Sequence, residues 1–546
     1  MRGVMILTPA TLLAKLIGLF YKIPLLHIVG VEGMAYFLSA YHVYSLLFVL
    51  AASGLPSALS LLVSRRVASG SKGAVGRIFG VTLGAFLLIG AIGTVMLFLL
   101  ADKIAAWLRM GEAAQSLMTI APALVLSVFT GAARGMFQGH HDMVPTAISE
   151  VIEAVGKLVF GITLANLAKA SGAGVAGVAA AAVFGITAGV LLSALYLGIS
   201  LLLSRKKLFF SPHGSLPARH AVLKEIFRVA FPVTVSACVM SLVSLVDTVL
   251  ISSRLQAGGF APSVANAMYS SYGNLAVPLY NLVPALLAPI TLSLTPVLSA
   301  AFAAGNKQGV EDAFSGALRL TALIALPASL GLSVFARPIL SLLYAGEEAA
   351  VAVAAPLLSV LASALLPAVL VAITGAALQA ANKAAVPVWS MLAGAGVKLL
   401  VEALLLSCKE INIMGAPIST LACNLTVLAI NMAVLGGTVH LRVRASNLTR
   451  SFLAAVLAVL AGGAGYFYLL RALGEHMWQM PLVLLVVVLF YGLLVLRFGA
   501  VLPSDIEELP CGKGICRMLI KCRLLQEVEK HDKRRKITAD LREDRI

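Results

Sequence analysis

"TGAARGMFQGHHDMVP", residues 130–145, returns in altered form as "TGAALQAANKAAVP", residues 374–387. Both copies run from a Thr-Gly-Ala-Ala tetrad through a glutamine to a Val-Pro step. Gln138 and Gln379 stand 241 residues apart, as do Lys157 and Lys398, so each glutamine precedes its lysine by 19 residues. A second pair of blocks keeps the same order. "VSRRVASGSKGAVGRIFG" from Val63 is answered by "LSAAFAAGNKQGVEDAFSG" from Leu298, matching Ser64, Gly70, Lys72 and Phe79 to Ser299, Gly305, Lys307 and Phe314 at an offset of 235. Two ordered blocks at nearly one spacing point to an internal duplication of about 240 residues.

The chain that carries this repeat has 546 residues, of which 60% are hydrophobic and 12% charged, with a mean hydropathy of +0.98. Those values belong to an all-α polytopic membrane protein and exclude a soluble globular one. Windows of about 20 apolar residues give about fourteen transmembrane helices, at 5–28, 34–63, 78–101, 114–138, 145–167, 174–203, 226–253, 264–302, 314–344, 351–380, 386–408, 414–440, 450–472 and 479–499. Lys15 and Lys22 interrupt the first, and no small-residue cleavage site follows, so it reads as a retained helix. Each repeat holds six helices, an even number, so both halves enter the membrane in the same sense and relate by an axis along its normal. The expected divisions are two pseudo-symmetric six-helix lobes at 1–204 and 225–442, a cytoplasmic linker at 205–224, two further helices within 443–500 and a basic tail at 501–546.

The net charge of +17 is unevenly placed. Arg65, Arg66, Lys72 and Arg77, then Arg205, Lys206, Lys207, Arg219 and Lys224, then Lys307, Lys383, Arg442, Arg444 and Arg450 fall in loops on one side. Lys103, Arg109, Lys169, Lys409 and Arg471 are the chief basic residues opposite. This asymmetry predicts a multi-pass protein of the bacterial cytoplasmic membrane with both termini in the cytoplasm. It assigns the positive charge to orientation and to anionic membrane lipids, with no nucleic acid partner. Of six cysteines, three lie in the tail without CxxC spacing, which predicts neither disulfides nor a metal. "GHHDM" at 139–143 is too short a loop for metal ligation. The chain lacks a Walker loop, HExxH and GxSxG, so we expect no enzyme and no cofactor, with energy drawn from an ion gradient or the membrane potential.

Ionisable side chains inside the membrane cost several kcal/mol each, on the order of 2.5–3.5, and so face a cavity or a partner. In the first half these are Lys15, Lys22, Arg134, Glu150, Glu153 and Lys157, an excess of cations; in the second they are Asp247, Lys398 and Glu402. Lys22 and Arg134 stand near helix ends, where they can also snorkel. Glu153 and Lys157 are spaced i,i+4 and can neutralise one another. A cationic lobe suits an anionic substrate, since Lys and Arg replace the water lost from phosphate oxygens. His27 and His42 read as hydrogen-bonded structural histidines.

"AKLIGLFYKIPLLHIVGVEGMAYF", "LAASGLPSALSLLVSRRVASG" and "RGMFQGHHDMVPTAISEVIEAVGKLVF" resemble, in that order, the stage V sporulation protein B group of polysaccharide transporters, within the superfamily of multidrug extruders, oligosaccharide-lipid flippases and lipid II flippases. The resemblance implies two V-arranged lobes and alternating-access movement of an undecaprenyl-diphosphate-linked saccharide, a cell-envelope precursor. In related lipid II flippases a basic residue before a Leu-Gly or Ile-Gly pair lines the cavity, a position matched by Lys15. A second arginine of those flippases corresponds here to Tyr21, with Lys22 beside it. Some relatives hold sodium between the seventh, eleventh and twelfth helices with an acid on the seventh. Asp247 matches that location, and Lys398, one turn before Glu402, brings an ammonium where sodium would sit.

The expected function is thus a lipid-linked saccharide flippase that uses Lys15, Lys22 and Arg134 to hold diphosphate. Two alternatives stay open: a cation-coupled multidrug extruder binding through Asp247, Glu150 and Glu153, and a non-transporting scaffold for envelope assembly. Glu150 and Glu153, which have no counterparts in the second repeat, serve either to hold the cavity's cations in place or to carry a proton.

Overall fold

The structure, a computed structural model, describes residues 2–68, 73–205, 208, 218–408, 410–437, 445–474 and 478–501. Most of the expected linker at 205–224, the tail beyond 501 with its three cysteines, and Lys72, Lys206, Lys207, Lys409, Arg442 and Arg444 lie outside the described residues.

Every regular element among the described residues is helical. In hydrocarbon a backbone has no water to bond, and a helix satisfies its amides within one segment. The elements are α1 (Arg2–Phe20), α2 (Lys22–Ala52), α3 (Leu55–Ala68), α4 (Gly73–Trp107), α5 (Ala114–Gly139), α6 (Val144–Ala170), α7 (Val175–Leu203), α8 (Arg219–Ala257), α9 (Pro262–Ser270), a π-helical turn (Ser271–Ala276), α10 (Val277–Ala303), α11 (Lys307–Val334), α12 (Ala336–Leu343), α13 (Glu348–Ser363), α14 (Leu365–Ala380), α15 (Ala385–Leu405), α16 (Gly415–Gly436), α17 (Ala445–Leu473) and α18 (Gln479–Arg497).

Among the described residues, 12 helices are long and apolar enough to cross a membrane, or 13 when the bent pair 262–288 and 293–303 is taken as one span. The first is a 59-residue run, Pro9–Val67. At 1.5 Å per residue such a run would stretch about 88 Å, nearly three bilayer cores, so it holds more than one crossing, and counting it as two brings the total to the expected fourteen. The break expected between residues 28 and 34 falls at Gly30, and the chain passes from one helix to the next also at Tyr21 and at Ser53–Gly54, where Tyr21 and Ser53 keep right-handed helical dihedrals. Gly30 has φ 77°, ψ 164°, a conformation open to a residue without a Cβ and invisible to a hydropathy window. The segment expected at 314–344 divides at Phe335, and that at 351–380 divides at Ala364. The proline-rich eighth segment bends by 43° between Ala288 and Ser293, next to Pro289.

The helices gather into two compact units, which cut the chain differently from the sequence repeat. The first comprises Met1–Leu279, Leu343–Leu357 and Ala395–Ala422. Within it α6 and α7 pack most extensively. A Cβ on Gly185 would lie 2.4 Å from Gly161 Cα, and one on Gly156 would lie 2.8 Å from Gly189 Cα, so the two backbones touch where only glycine fits. Hydroxyls clamp neighbouring helices: Thr187 Oγ1 donates to Thr119 O at 2.8 Å, and Tyr44 OH meets Ser127 Oγ at 2.6 Å. Leu88, Ile92, Met96 and Leu99 of α4 and Leu195, Ile199 and Leu202 of α7 remain exposed, as lipid-facing residues do.

The second unit comprises Tyr280–Leu342, Leu358–Gly394 and Cys423–Ile546. One core joins Phe314 to Ile373, Leu378 and Leu435; another seats Val483, Val487 and Tyr491 of α18 with Ala454 and Ala458 of α17 against Leu326 of α11. Asn431 ties three helices, accepting from Ser390 Oγ at 2.7 Å and donating to Thr374 Oγ1 at 3.2 Å.

Gly185→Val pushes a branched side chain into the Gly161 backbone and should lower the melting temperature of the detergent-solubilised protein, by the equivalent of about 1–3 kcal/mol of overpacking. Gly80→Val, where a Cβ meets nothing within 4 Å, should leave it unchanged. Equal melting of the two variants would contradict the close apposition of α6 and α7.

Candidate functional site

Six of the ten sequence-predicted site residues fall into two charged clusters, both in the first unit. The first cluster is built on α6, where Ser149, Glu153 and Lys157 recur every fourth residue and share one helical face. Glu153 stands between two cations, accepting from Lys157 Nζ on Oε1 at 2.6 Å and from Arg134 Nη2 on Oε2 at 2.8 Å. Arg134, from α5, also donates through Nε to Ser149 Oγ at 2.9 Å and through Nη2 to Ser193 Oγ of α7 at 3.2 Å. The glycine contact with α7 holds this face in place: a Cβ on Gly189 would meet Glu153 O at 2.7 Å and Lys157 Cγ at 2.8 Å. With two bases and one acid, the ionised cluster carries one spare positive charge.

The second cluster has the opposite balance. Asp247 of α8 pairs with Lys398 of α15, and Glu402, four residues beyond Lys398, lies 3.8 Å from the same ammonium. Glu402 is fully buried and accepts from Ser419 Oγ of α16 at 3.4 Å. Asp247 Oδ1 and Glu402 Oε1 are buried without a hydrogen-bond partner. Tyr272 of the π turn comes within electrostatic reach of all three charges, its hydroxyl 3.5 Å from Thr420 Oγ1. With every group ionised, two acids against one base would leave one spare negative charge.

The other four predicted residues are placed separately. Lys15 is exposed on α1 and makes no ion pair among the described residues. Tyr21 is 7% exposed, with a ring carbon near Gly161 and its ring 6.3 Å from that of Phe37. Lys22 donates to Asn274 Oδ1 at 3.3 Å, while Asn274 Nδ2 donates to Met34 O at 3.0 Å. Glu150 stands apart from the Arg134 cluster and accepts from Thr11 Oγ1 of α1 at 2.7 Å. His27 bridges Ile23 O at 2.9 Å and Ala345 O at 2.7 Å, and His42 Nδ1 meets Thr248 Oγ1 at 2.8 Å and Tyr269 OH at 3.1 Å.

Several polar partners were not singled out in the sequence: Ser149, Ser193 and Ser419, together with Tyr272 and Asn274 of the π turn. A signal for the last two exists in "YSSYGN", residues 269–274, a polar run inside an apolar segment. π turns are rare and concentrate at functional sites; this one carries Lys22's partner and the tyrosine of the second cluster. Among the described residues, no three His, Cys, Asp or Glu side chains converge as metal ligands. A cavity of about 490 Å³ opens between Glu32, Tyr36, Glu112, Gln115 and the turn at 173–177, and none of the ten predicted residues lines it.

The family model described as "Polysaccharide biosynthesis protein" matches residues 1–302, and the one described as "MatE" matches residues 232–404. The chain is 24% identical over 448 residues to lipid II flippase MurJ of Bacillus subtilis (strain 168), covering 77% of this chain and 79% of that one. To stage V sporulation protein B of the same organism it is 24% identical over 460 residues, covering 84% and 87%. Among solved structures, "Lipid II flippase MurJ, inward closed conformation" aligns with a TM-score of 0.63 at 14% identity, over 90% of this chain and 98% of that one. An inward-facing multidrug resistance MATE family transporter of the MOP superfamily gives 0.63 at 18% identity, over 83% and 95%. Likeness at such identities establishes a shared fold.

Glu153→Gln strands two partly buried cations and should destabilise the protein by about 3 kcal/mol or more, read as a fall in melting temperature in detergent. Glu150→Gln loses one charged acceptor for a hydroxyl and should cost only about 1–2 kcal/mol. Equal losses would contradict the bridging role of Glu153.

Proposed function

Since the chain belongs to the polysaccharide biosynthesis protein family, we propose that it is a flippase carrying an undecaprenyl-diphosphate-linked saccharide across the bacterial cytoplasmic membrane by alternating access. The observation that carries this reading is the cation surplus among the membrane charges of residues 1–204, where Lys15, Lys22, Arg134 and Lys157 stand against Glu150 and Glu153. Glu153 satisfies Arg134 and Lys157 together and leaves one positive charge over, while Lys15 and Lys22 have no carboxylate partner among the described residues. A diphosphate offers the complementary charge, with oxygens that accept from ammonium and guanidinium donors. In this reading Arg134 and Lys157 are held ready for the substrate by Glu153, and Lys22 by Asn274, so that little side-chain ordering remains to be done on binding.

The repeat supplies the moving parts. The lobes at 1–204 and 225–442, joined by the 205–224 linker, are taken to exchange access between the two membrane faces, with both termini in the cytoplasm and helices 443–500 as an addition. The energy source is an ion gradient or the membrane potential, and the protein performs no covalent chemistry. The multidrug-extruder reading draws support from the MatE match, which spans Asp247, Lys398 and Glu402, and from that cluster's spare negative charge when every group is ionised. An organic cation would be drawn to that charge.

Lys15→Ala and Lys22→Ala should each abolish rescue of a strain depleted of its own lipid-linked precursor flippase, while membrane abundance stays at the wild-type level. Wild-type rescue by both variants would remove these lysines from the site. Increased resistance to cationic drugs without rescue would instead favour the extruder.

A further inference from the structure

Lys398 is a lysine whose charge is already committed. It is 8% exposed, it pairs with Asp247 from another helix, and it lies 3.8 Å from Glu402 on its own. The pair of acids it serves is deeply buried: Glu402 has no exposed surface, its carboxyl lies within hydrogen-bond reach of that of Asp247, and one oxygen of each meets no donor from another residue. Two carboxylates brought together from α8 and α15 in a membrane interior repel one another, and neither can ionise cheaply without positive charge between them.

A soluble hard cation would need several oxygens turned toward it at once. Here Asp247 Oδ2 is taken by the ammonium and Glu402 Oε2 is shared between Ser419 and the ammonium's field. A sodium ion entering between the acids would lie against Lys398 Nζ, like charge to like charge in a medium of low dielectric. The residues therefore do not fit the sodium that the resemblance to some flippases implies.

We propose that Lys398 is the resident cation of the Asp247–Glu402 pair, a tethered ammonium that makes a small monovalent cation from solution unnecessary, and that removing it opens a site for such an ion. The amine can occupy this position because Glu402 is one helical turn away, so the side chain needs only its own length to stand between the two acids. The groups within electrostatic reach of it are Asp247 from α8, Glu402 on its own helix, Tyr272 from the π turn and, at longer range, His42 from α2, while Ser419 and Thr420 of α16 reach Glu402 and Tyr272. Only Asp247 and Glu402 among these are carboxylates, so their charge sets the demand.

The test is a melt of the purified full-length protein in detergent, in N-methylglucamine chloride and in sodium chloride at equal ionic strength. It needs no substrate, so it stands or falls apart from the flippase reading, which complementation decides. Wild-type protein should melt within about 1 °C in the two salts, and Lys398→Ala should melt lower in N-methylglucamine and regain at least about 2 °C in sodium. Lys398→Ala/Glu402→Gln, which leaves a single acid, should melt alike in both salts. Sodium-specific stabilisation of the wild type would overturn the proposal, whether or not Lys398→Ala can be purified, and so would a Lys398→Ala protein indifferent to sodium.

Discussion

A charged side chain inside a bilayer must find its opposite, and the first unit is organised around two lysines that do. Lys157 and Lys398 occupy equivalent places in the sequence repeat, 241 residues apart. Each is met by an acid one helical turn away, but on opposite sides: Glu153 precedes Lys157 by four residues and Glu402 follows Lys398 by four. The same offset of 241 places Gly394 opposite Glu153 and Gly161 opposite Glu402, so acid and glycine have exchanged positions around a common lysine. Packing accounts for the exchange. Gly161 is where α7 touches α6, and a Cβ at Gly394 would lie 2.4 Å from Val427 Cγ2 of α16. In each copy the glycine marks a close approach to a neighbouring helix, and the carboxylate on the other side of the lysine bonds to side chains from other helices, Glu153 to Arg134 and Glu402 to Ser419.

The third member of each cluster, contributed by another helix, gives the two opposite polarity. Glu153 must satisfy Arg134 as well as Lys157, which leaves positive charge over; Lys398 must satisfy Asp247 as well as Glu402, which leaves negative charge over when every group is ionised. One duplicated helix thus contributes to a centre with more bases than acids and a centre with more acids than bases. The π turn at Ser271–Ala276 lies beside both lines of contact, Asn274 reaching Lys22 and Tyr272 reaching the Asp247 cluster. A wound-out turn has a shifted hydrogen-bond register, and relaxing it to α geometry would move both side chains together.

The helices, their number and their polarity pattern could be read from hydropathy, because a bilayer imposes a length and a composition on any segment that crosses it. The i,i+4 pairs Glu153–Lys157 and Lys398–Glu402 were legible for the same kind of reason, since helix geometry fixes that distance. Arg134 with Glu153 was legible only as two members of a short roster of membrane charges, and Asp247 with Lys398 came together only through the family resemblance; which charges meet depends on how helices cross, and no spacing in one helix encodes that. Of Gly30 and the π turn the sequence marks only the place, by the gap expected at 28–34 and the polar run "YSSYGN"; a hydropathy window carries no dihedral angle, so neither backbone conformation was legible. Glu150 was legible as a membrane charge, but its partner Thr11 lies on a helix 139 residues away.

The most direct measurement is leaflet exchange in vesicles. Purified protein is reconstituted into liposomes that hold an undecaprenyl-diphosphate-linked saccharide, and a membrane-impermeant reagent reads how much of its head group becomes accessible with time. A flippase with a diphosphate-binding cation surplus exposes the inner-leaflet pool, and Lys22→Ala slows that exposure toward the protein-free rate. Exposure no faster than in protein-free vesicles, alongside uptake of an organic cation by the same vesicles, would contradict the account.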